Sequence, residues 1–156
     1  MRGGIVMKTI LIAVVLLCVL VPVVSADNGI ISVKSSHDVK TTADRLVDAL
    51  NQKGMTVFAR IDHAEGARNA GLELRPTTLI IFGNPKIGTP FMHCGQSVAL
   101  DLPQKALIWK DADGTVRLSY NDPHYLAQRH GITGCNDVIN KIKGALANFS
   151  DMATKP

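Results

Sequence analysis

The chain reads as an α+β domain with helices packed on one face of a mixed sheet. Three observations carry that reading. A helical repeat follows the first β-branched run, further apolar runs with a hairpin signal come next, and a second long helical repeat closes the chain.

Residues 1–26 stand apart from that domain. Arg2 and Lys8 make a positive opening, Thr9 to Val24 is largely apolar, and Val24-Ser25-Ala26 supplies the small residues of a signal-peptidase site. Cleavage is expected before Asp27, leaving residues 27–156 as one domain in the periplasm or cell exterior. The apolar run of about 16 residues is shorter than the ~20 of a membrane-spanning helix. Pro22 also suits a break near a cleavage site; an uncleaved anchor is the alternative. Cys18 follows bulky Leu17, which disfavours a lipoprotein, and Met7-Lys8 is itself a workable start.

Gly29 to Val33 is a short β-branched run and reads as the first strand. Ser35 to Asp38 offers N-caps for a helix carrying Val39, Ala43, Leu46, Val47 and Leu50 at helical spacing, with Gly54 as its C-terminal stop. Met55 to Ile61 alternates as a second strand, and Asp62 to Gly71 gives one or two helical turns. Pro76 breaks the chain before Thr77 to Phe82, a continuous apolar run expected to be a central strand. Gly83 to Thr89 reads as a turn, and Thr89 to Val98 as a short helix with Thr89 at its cap and Pro90 in its first turn. Ala106 to Lys110 and Thr115 to Tyr120 flank Asp111-Ala112-Asp113-Gly114 as a hairpin. Asn121-Asp122-Pro123 opens a helix reaching His130. A last helix runs from Asn136 or Asp137 to about Asn148, its apolar side carrying Val138, Ile139, Ile142, Leu146 and Phe149.

Arg2 and Lys8 are two of the 17 basic residues, so the remaining chain sits near a net charge of +2 against 13 acidic residues. Its charges are scattered, with no basic cluster interleaved with aromatics, so nucleic-acid binding has no support. Two of the three cysteines, Cys94 and Cys135, lie beyond the leader. An even count in an exported chain favours a disulfide closing a long loop; two free buried thiols are the alternative.

Several blocks resemble a bacterial family named only as domain of unknown function 302. They are Thr42-Ala43-Asp44-Arg45-Leu46 with Gly54, Asp62-His63-Ala64, Gly71-Leu72, Arg75-Pro76-Thr77, Phe82-Gly83-Asn84-Pro85 and Gly88-Thr89. Asp101-Leu102-Pro103, Asp113-Gly114, Tyr120-Asn121-Asp122-Pro123 and His130-Gly131-Ile132 complete the series. The resemblance implies a β-α-β(4)-α arrangement, an antiparallel-rich sheet with helices against it, and a homodimer. It implies no established activity. The pair His93-Cys94 departs from the family's glutamine-type residue after the Gly-Thr-Pro-Xaa-Met segment.

Asp62, His63, Asn84, Thr89, Asp101 and Asn121 fall at strand ends, where a sheet can gather polar groups into a small pocket. In that reading His63 moves a proton and Asp62 or Asp101 orients it. Turn chemistry explains the Asn and Asp residues equally well. For metals, the donors are His37, His63, His93, Cys94, His124, His130 and Cys135, of which His93 and Cys94 are the pair to weigh. No two show a recognised ligand spacing. No Gly-x-Ser-x-Gly elbow or phosphate-binding glycine loop is present, and the loop from Gly83 to Thr89 reads more simply as a tight connection than as an anion site. The leading expectation is an exported domain that binds an unknown small molecule in a polar pocket or serves as an accessory module. The alternatives are a redox or metal-handling protein using His93, Cys94 and Cys135, and a hydrolase with His63 as general base.

Overall fold

A computed structural model describes residues 28–156. The expected leader and its cleavage site lie outside the described residues. The elements are β1 (Ile30–Lys34), α1 (Val39–Gln52), β2 (Thr56–Asp62), α2 (His63–Asn69), β3 (Thr77–Gly83) and α3 (Pro85–Cys94). A 3-10 turn (Gln96–Leu100), β4 (Gln104–Lys110), β5 (Val116–Asn121), α4 (Pro123–Arg129) and α5 (Asn136–Thr154) follow.

The five strands form one sheet in the order β1-β5-β4-β3-β2, and every neighbouring pair is antiparallel. The sheet is therefore not mixed. The chain meanders from β2 to β5, and β1 then pairs with β5 at the far edge, so the first connection must traverse the sheet. α1 makes that traverse. Asp38 caps it by accepting from the Thr41 amide at 2.7 Å, and Gly54 ends it at φ +69, the left-handed conformation that glycine tolerates.

Register decides which side chains go inside. Phe82, Ile80 and Thr78 of β3 share one face with Gln104, Ala106 and Ile108 of β4 and with Leu118 and Tyr120 of β5. That face packs with Ala43, Leu46 and Leu50 of α1 and Ile139, Ile142, Leu146 and Phe149 of α5 in one buried cluster. Phe82 meets Phe149 edge to face at a centroid distance of 6.3 Å. The opposite face stays partly open, with Ile30 and Ile61 exposed and a polar contact in which the Trp109 indole N–H donates to Ser119 at 3.0 Å.

Two elements differ from the sequence reading. α3 starts at Pro85 rather than Thr89, because Asn84 is already a cap: its Oδ1 accepts from the Lys86 amide at 2.9 Å, and Pro85 fills the first helical position. Pro90 therefore lies inside α3, where its missing N–H removes the helical donor to the carbonyl of Lys86, an exposed residue. α5 continues past Asn148 to Thr154, carried by buried Phe149, Ser150 and Ala153, and Gly144 does not break it.

Cys94 and Cys135 form a disulfide across a Cα–Cα distance of 6.2 Å, joining the end of α3 to the start of α5 over a separation of 41 residues. Chain-entropy arguments assign such a loop about 4 kcal/mol. Cys94→Ser with Cys135→Ser is expected to lower unfolding stability by an amount of that order in urea titrations, with far-ultraviolet circular dichroism unchanged.

The β4–β5 hairpin is held by Asp111, whose carboxylate accepts from the Asp113 and Thr115 amides and from Arg117 Nε at 2.8 Å. The Arg117 hydrogen bond, then the backbone amides, hold the Asp111 carboxyl below its ordinary value. Asp44, between Lys40 and Arg60, and Asp38 at the α1 cap are lowered too. A carboxylate with a depressed folded pKa stabilises the fold above its unfolded pKa and loses that contribution as pH falls through the folded value. The urea midpoint should therefore drop as pH falls below about 4, and Asp111→Asn should flatten the drop.

Candidate functional site

The sheet does not gather the expected polar residues into one place. Asp62 pairs with Thr78 at one end of β3, whereas Asn84 follows Gly83 at the other end. Thr78 and Phe82 are about 13 Å apart at strand rise. Asp62 and His63 therefore stand at one end, with Asn84, Thr89, Asp101 and Asn121 toward the other. An Asp101 orienting His63 is excluded by that separation.

At the first end, Asp62 caps α2 by accepting from the Glu65 amide at 2.9 Å, and His63 is the exposed first residue of that helix. Asp62 lines a hollow of about 410 Å3 with Lys40, Arg60, Arg68, Thr77 and Thr78. Arg60 is already paired with Asp44, and Lys40 with Asp44 at 2.8 Å, so two of these cations are committed to one carboxylate on α1.

At the other end a cavity of about 290 Å3 opens between α3, the 3-10 turn and the ends of β2 and β3. Met55, Phe58, Phe91, Met92, Leu102 and Ile142 make most of its wall, and Asn84, Thr89 and Gln104 add the polar side chains. The expected pocket is thus apolar rather than polar. Asn84 reaches it with its amide already engaged, since Nδ2 donates to the Gly54 carbonyl at 2.8 Å while Oδ1 caps α3. Thr89 is exposed on α3, and half-buried Asn121 ends β5 opposite Ile30.

Asp101 belongs to a separate cluster. Its carboxylate meets His130 Nε2 at 2.7 Å and Arg129 Nη1 at 3.2 Å, while its carbonyl accepts from Lys105 Nζ at 2.9 Å. His130 Nδ1 lies 3.1 Å from Ser97 Oγ, and the imidazole is only 7% exposed. The attachment is the reverse of a Ser-His-Asp hydrolase, where Nε2 faces the serine. Ser97 lies outside the lining of both hollows. The cluster clamps the 3-10 turn onto the end of α4. Sequence reasoning named Asp101 and His130 in separate blocks, and only the fold joins them.

The metal candidates are dispersed. His37 Nε2 contacts the Lys155 carbonyl at 2.9 Å, His124 Nε2 contacts Asn140 at 3.0 Å, and His130 is held by Asp101. His93 is exposed on α3, and the neighbouring Cys94 is bridged to Cys135. Among the described residues no three His, Cys, Asp or Glu side chains converge, and no helix is long and apolar enough to cross a membrane.

The geometry defines a small α+β domain: an antiparallel sheet covered on one face, with an apolar cavity beside a short, doubly anchored helix. The chain belongs to the family described as domain of unknown function DUF302, whose model matches residues 31–149. A crystal structure of an uncharacterized conserved DUF302 protein from Bacillus stearothermophilus shares the fold at a TM-score of 0.73 and 21% identity, covering 81% of this chain and 98% of that one. Two longer relatives are each named fluoride-specific ion channel FluC 1. The one from Brucella suis is 48% identical over 115 residues, covering 74% of this chain and 45% of that protein. The one from Brucella abortus is 48% identical over the same length, covering 43% of that protein. The chain thus spans less than half the length of these relatives.

The Asp101 cluster has a direct test. Asp101→Ala strands a nearly buried imidazole and should cost about 1.5–3 kcal/mol in urea unfolding, the range for hydrogen bonds to charged groups. Arg129→Ala removes a half-exposed partner and should cost under about 1 kcal/mol.

Proposed function

We propose that the chain is an exported, non-enzymatic domain that binds a small, largely apolar molecule in the cavity beside α3. The observation that carries this is the lining: a preformed concavity of about 290 Å3 walled by Met55, Phe58, Phe91, Met92 and Leu102, with few polar groups. Concave apolar sites with sparse polar groups are where small molecules bind. Of the residues expected at a site, Asn84 and Thr89 remain in the proposal as its rim.

Export is supported by the composition of residues 1–26 and by the Cys94–Cys135 bridge, since such bonds persist in oxidising compartments. An accessory role is supported by the longer relatives. A segment 48% identical to this chain makes up under half of proteins named as fluoride-specific ion channels. A domain of this kind there sits within a larger chain, and here it would act beside such a partner.

Native mass spectrometry of the protein from periplasmic extract, against a denatured control, tests the reading. The expected result is a chain beginning at Asp27, oxidised at its two cysteines, carrying a small-molecule mass that denaturation removes. Ala99→Trp places a large ring in the cavity wall and should abolish the added mass while the circular dichroism spectrum holds. Equal ligand occupancy in that variant would overturn the assignment of the site.

A further inference from the structure

Gln104 is the first residue of β4, opposite Phe82, and the pairing turns it toward the covered face. It is 9% exposed and lines the cavity. No protein group among the described residues pairs its side-chain amide. Several other buried polar side chains are paired within the fold: Ser35 and Thr42 bond each other at 2.7 Å, Ser119 receives Trp109, and Thr154 donates to the Ser150 carbonyl at 2.8 Å, while Ser150 Oγ and Arg45 Nε are sealed in the interior without a partner. The Gln104 amide is not sealed away as those two atoms are: it opens onto the cavity, where a bound molecule that displaces water from it must supply its hydrogen bonds.

From Gln104 we infer the chemistry of the ligand: a small, neutral molecule with an amide group, paired to the Gln104 amide, and a short hydrocarbon body. The inference rests on the cavity being the binding site proposed above. A glutamine side chain presents a carbonyl acceptor and an NH2 donor side by side, so its best complement offers one donor and one acceptor on adjacent atoms. An amide does that. A carboxylate has no donor, and the lining contains no Lys, Arg or His to balance its charge. An ammonium meets no Asp or Glu there either, and an unpaired ion in an apolar site is strongly disfavoured. Met55, Phe91, Met92 and Ile142 receive the hydrocarbon. The volume of about 290 Å3 is at the small end for ligand pockets, which limits that body to a short chain.

The experiment titrates the mature, oxidised protein at neutral pH with hexanamide, hexanoate and 1-chlorohexane, followed by backbone amide chemical shifts. Hexanamide should bind at least about tenfold more tightly than hexanoate, with shifts centred on Gln104, Met92 and Gly83. Gln104→Leu should weaken hexanamide about tenfold and leave 1-chlorohexane within about twofold. Gln104→Met, similar in length and without an amide, repeats the comparison should the leucine variant lose its fold. Hexanamide binding that ignores both substitutions, or that does not exceed hexanoate, overturns the ligand chemistry while leaving the cavity as a binding site. Absence of shifts with all three probes, 1-chlorohexane included, overturns the proposed function as well.

Discussion

Ile80, Phe82, Ile108 and Leu118 disappear from solvent in one cluster with Leu46, Leu50 and the inner side of α5, and the other elements are arranged around that burial. An antiparallel sheet can leave one face wet, so helices are needed on one side only. α1 and α5 are long enough to supply that cover, and the shorter helices close the ends. Apolar burial has no direction of its own. Side-chain interdigitation sets the packing angles of α1 and α5, and polar contacts at their tips add fixed points. Arg45 of α1 donates to the Met152 and Lys155 carbonyls at 3.0 and 2.8 Å, satisfying the last turn of α5 with a cation where the helix dipole favours one.

The same division of labour explains the sequence blocks. In Thr42-Ala43-Asp44-Arg45-Leu46, Ala43 and Leu46 enter the core, Thr42 bonds Ser35, Asp44 pairs with Lys40 and Arg60, and Arg45 holds α5. Phe82-Gly83-Asn84-Pro85 packs its ring, brings Gly83 to within 3.3 Å of Phe58 at its virtual Cβ, caps α3 and starts it. These are tasks of folding. Residues that look functional because they are polar and lie at strand ends are here largely occupied with holding those ends.

That is why the fold was more legible than the site. Period and punctuation mark local structure, and they placed the strands, α1, the hairpin and α4 close to where they lie. They failed at α3, where Pro90 read as a helix start because the stronger Asn84-Pro85 pair upstream had been read as a turn. The meander of β2 to β5 depends on which edges meet, which no local pattern states. For the site, Asp62 and Asn84 each sit beside a β3 terminus, and only the strand's length shows that these are opposite ends. Gln104 escaped notice because a lone glutamine at the head of a strand carries no local signal. Its meaning depends on a cavity assembled from residues 55 to 142.

The cavity itself follows from how α3 is held. Its first turn is bolted to the turn after α1 by Asn84, and its last residue is tied to the start of α5 by the disulfide. Between those anchors only Phe91 is fully buried, half-buried Ile87 and Met92 pack against the core, and Gly88 and Thr89 line the cavity. A helix fixed at both ends and packed mainly through Phe91, Ile87 and Met92 leaves an open space beside them instead of filling it. That space is present before any ligand arrives, so binding need not first order a loop, and the usual entropic penalty of closing a site is reduced. Opening the disulfide would release one end of the helix. In the binding function proposed above, the bond would keep the span of α3 constant, a role distinct from its contribution to the stability of the fold.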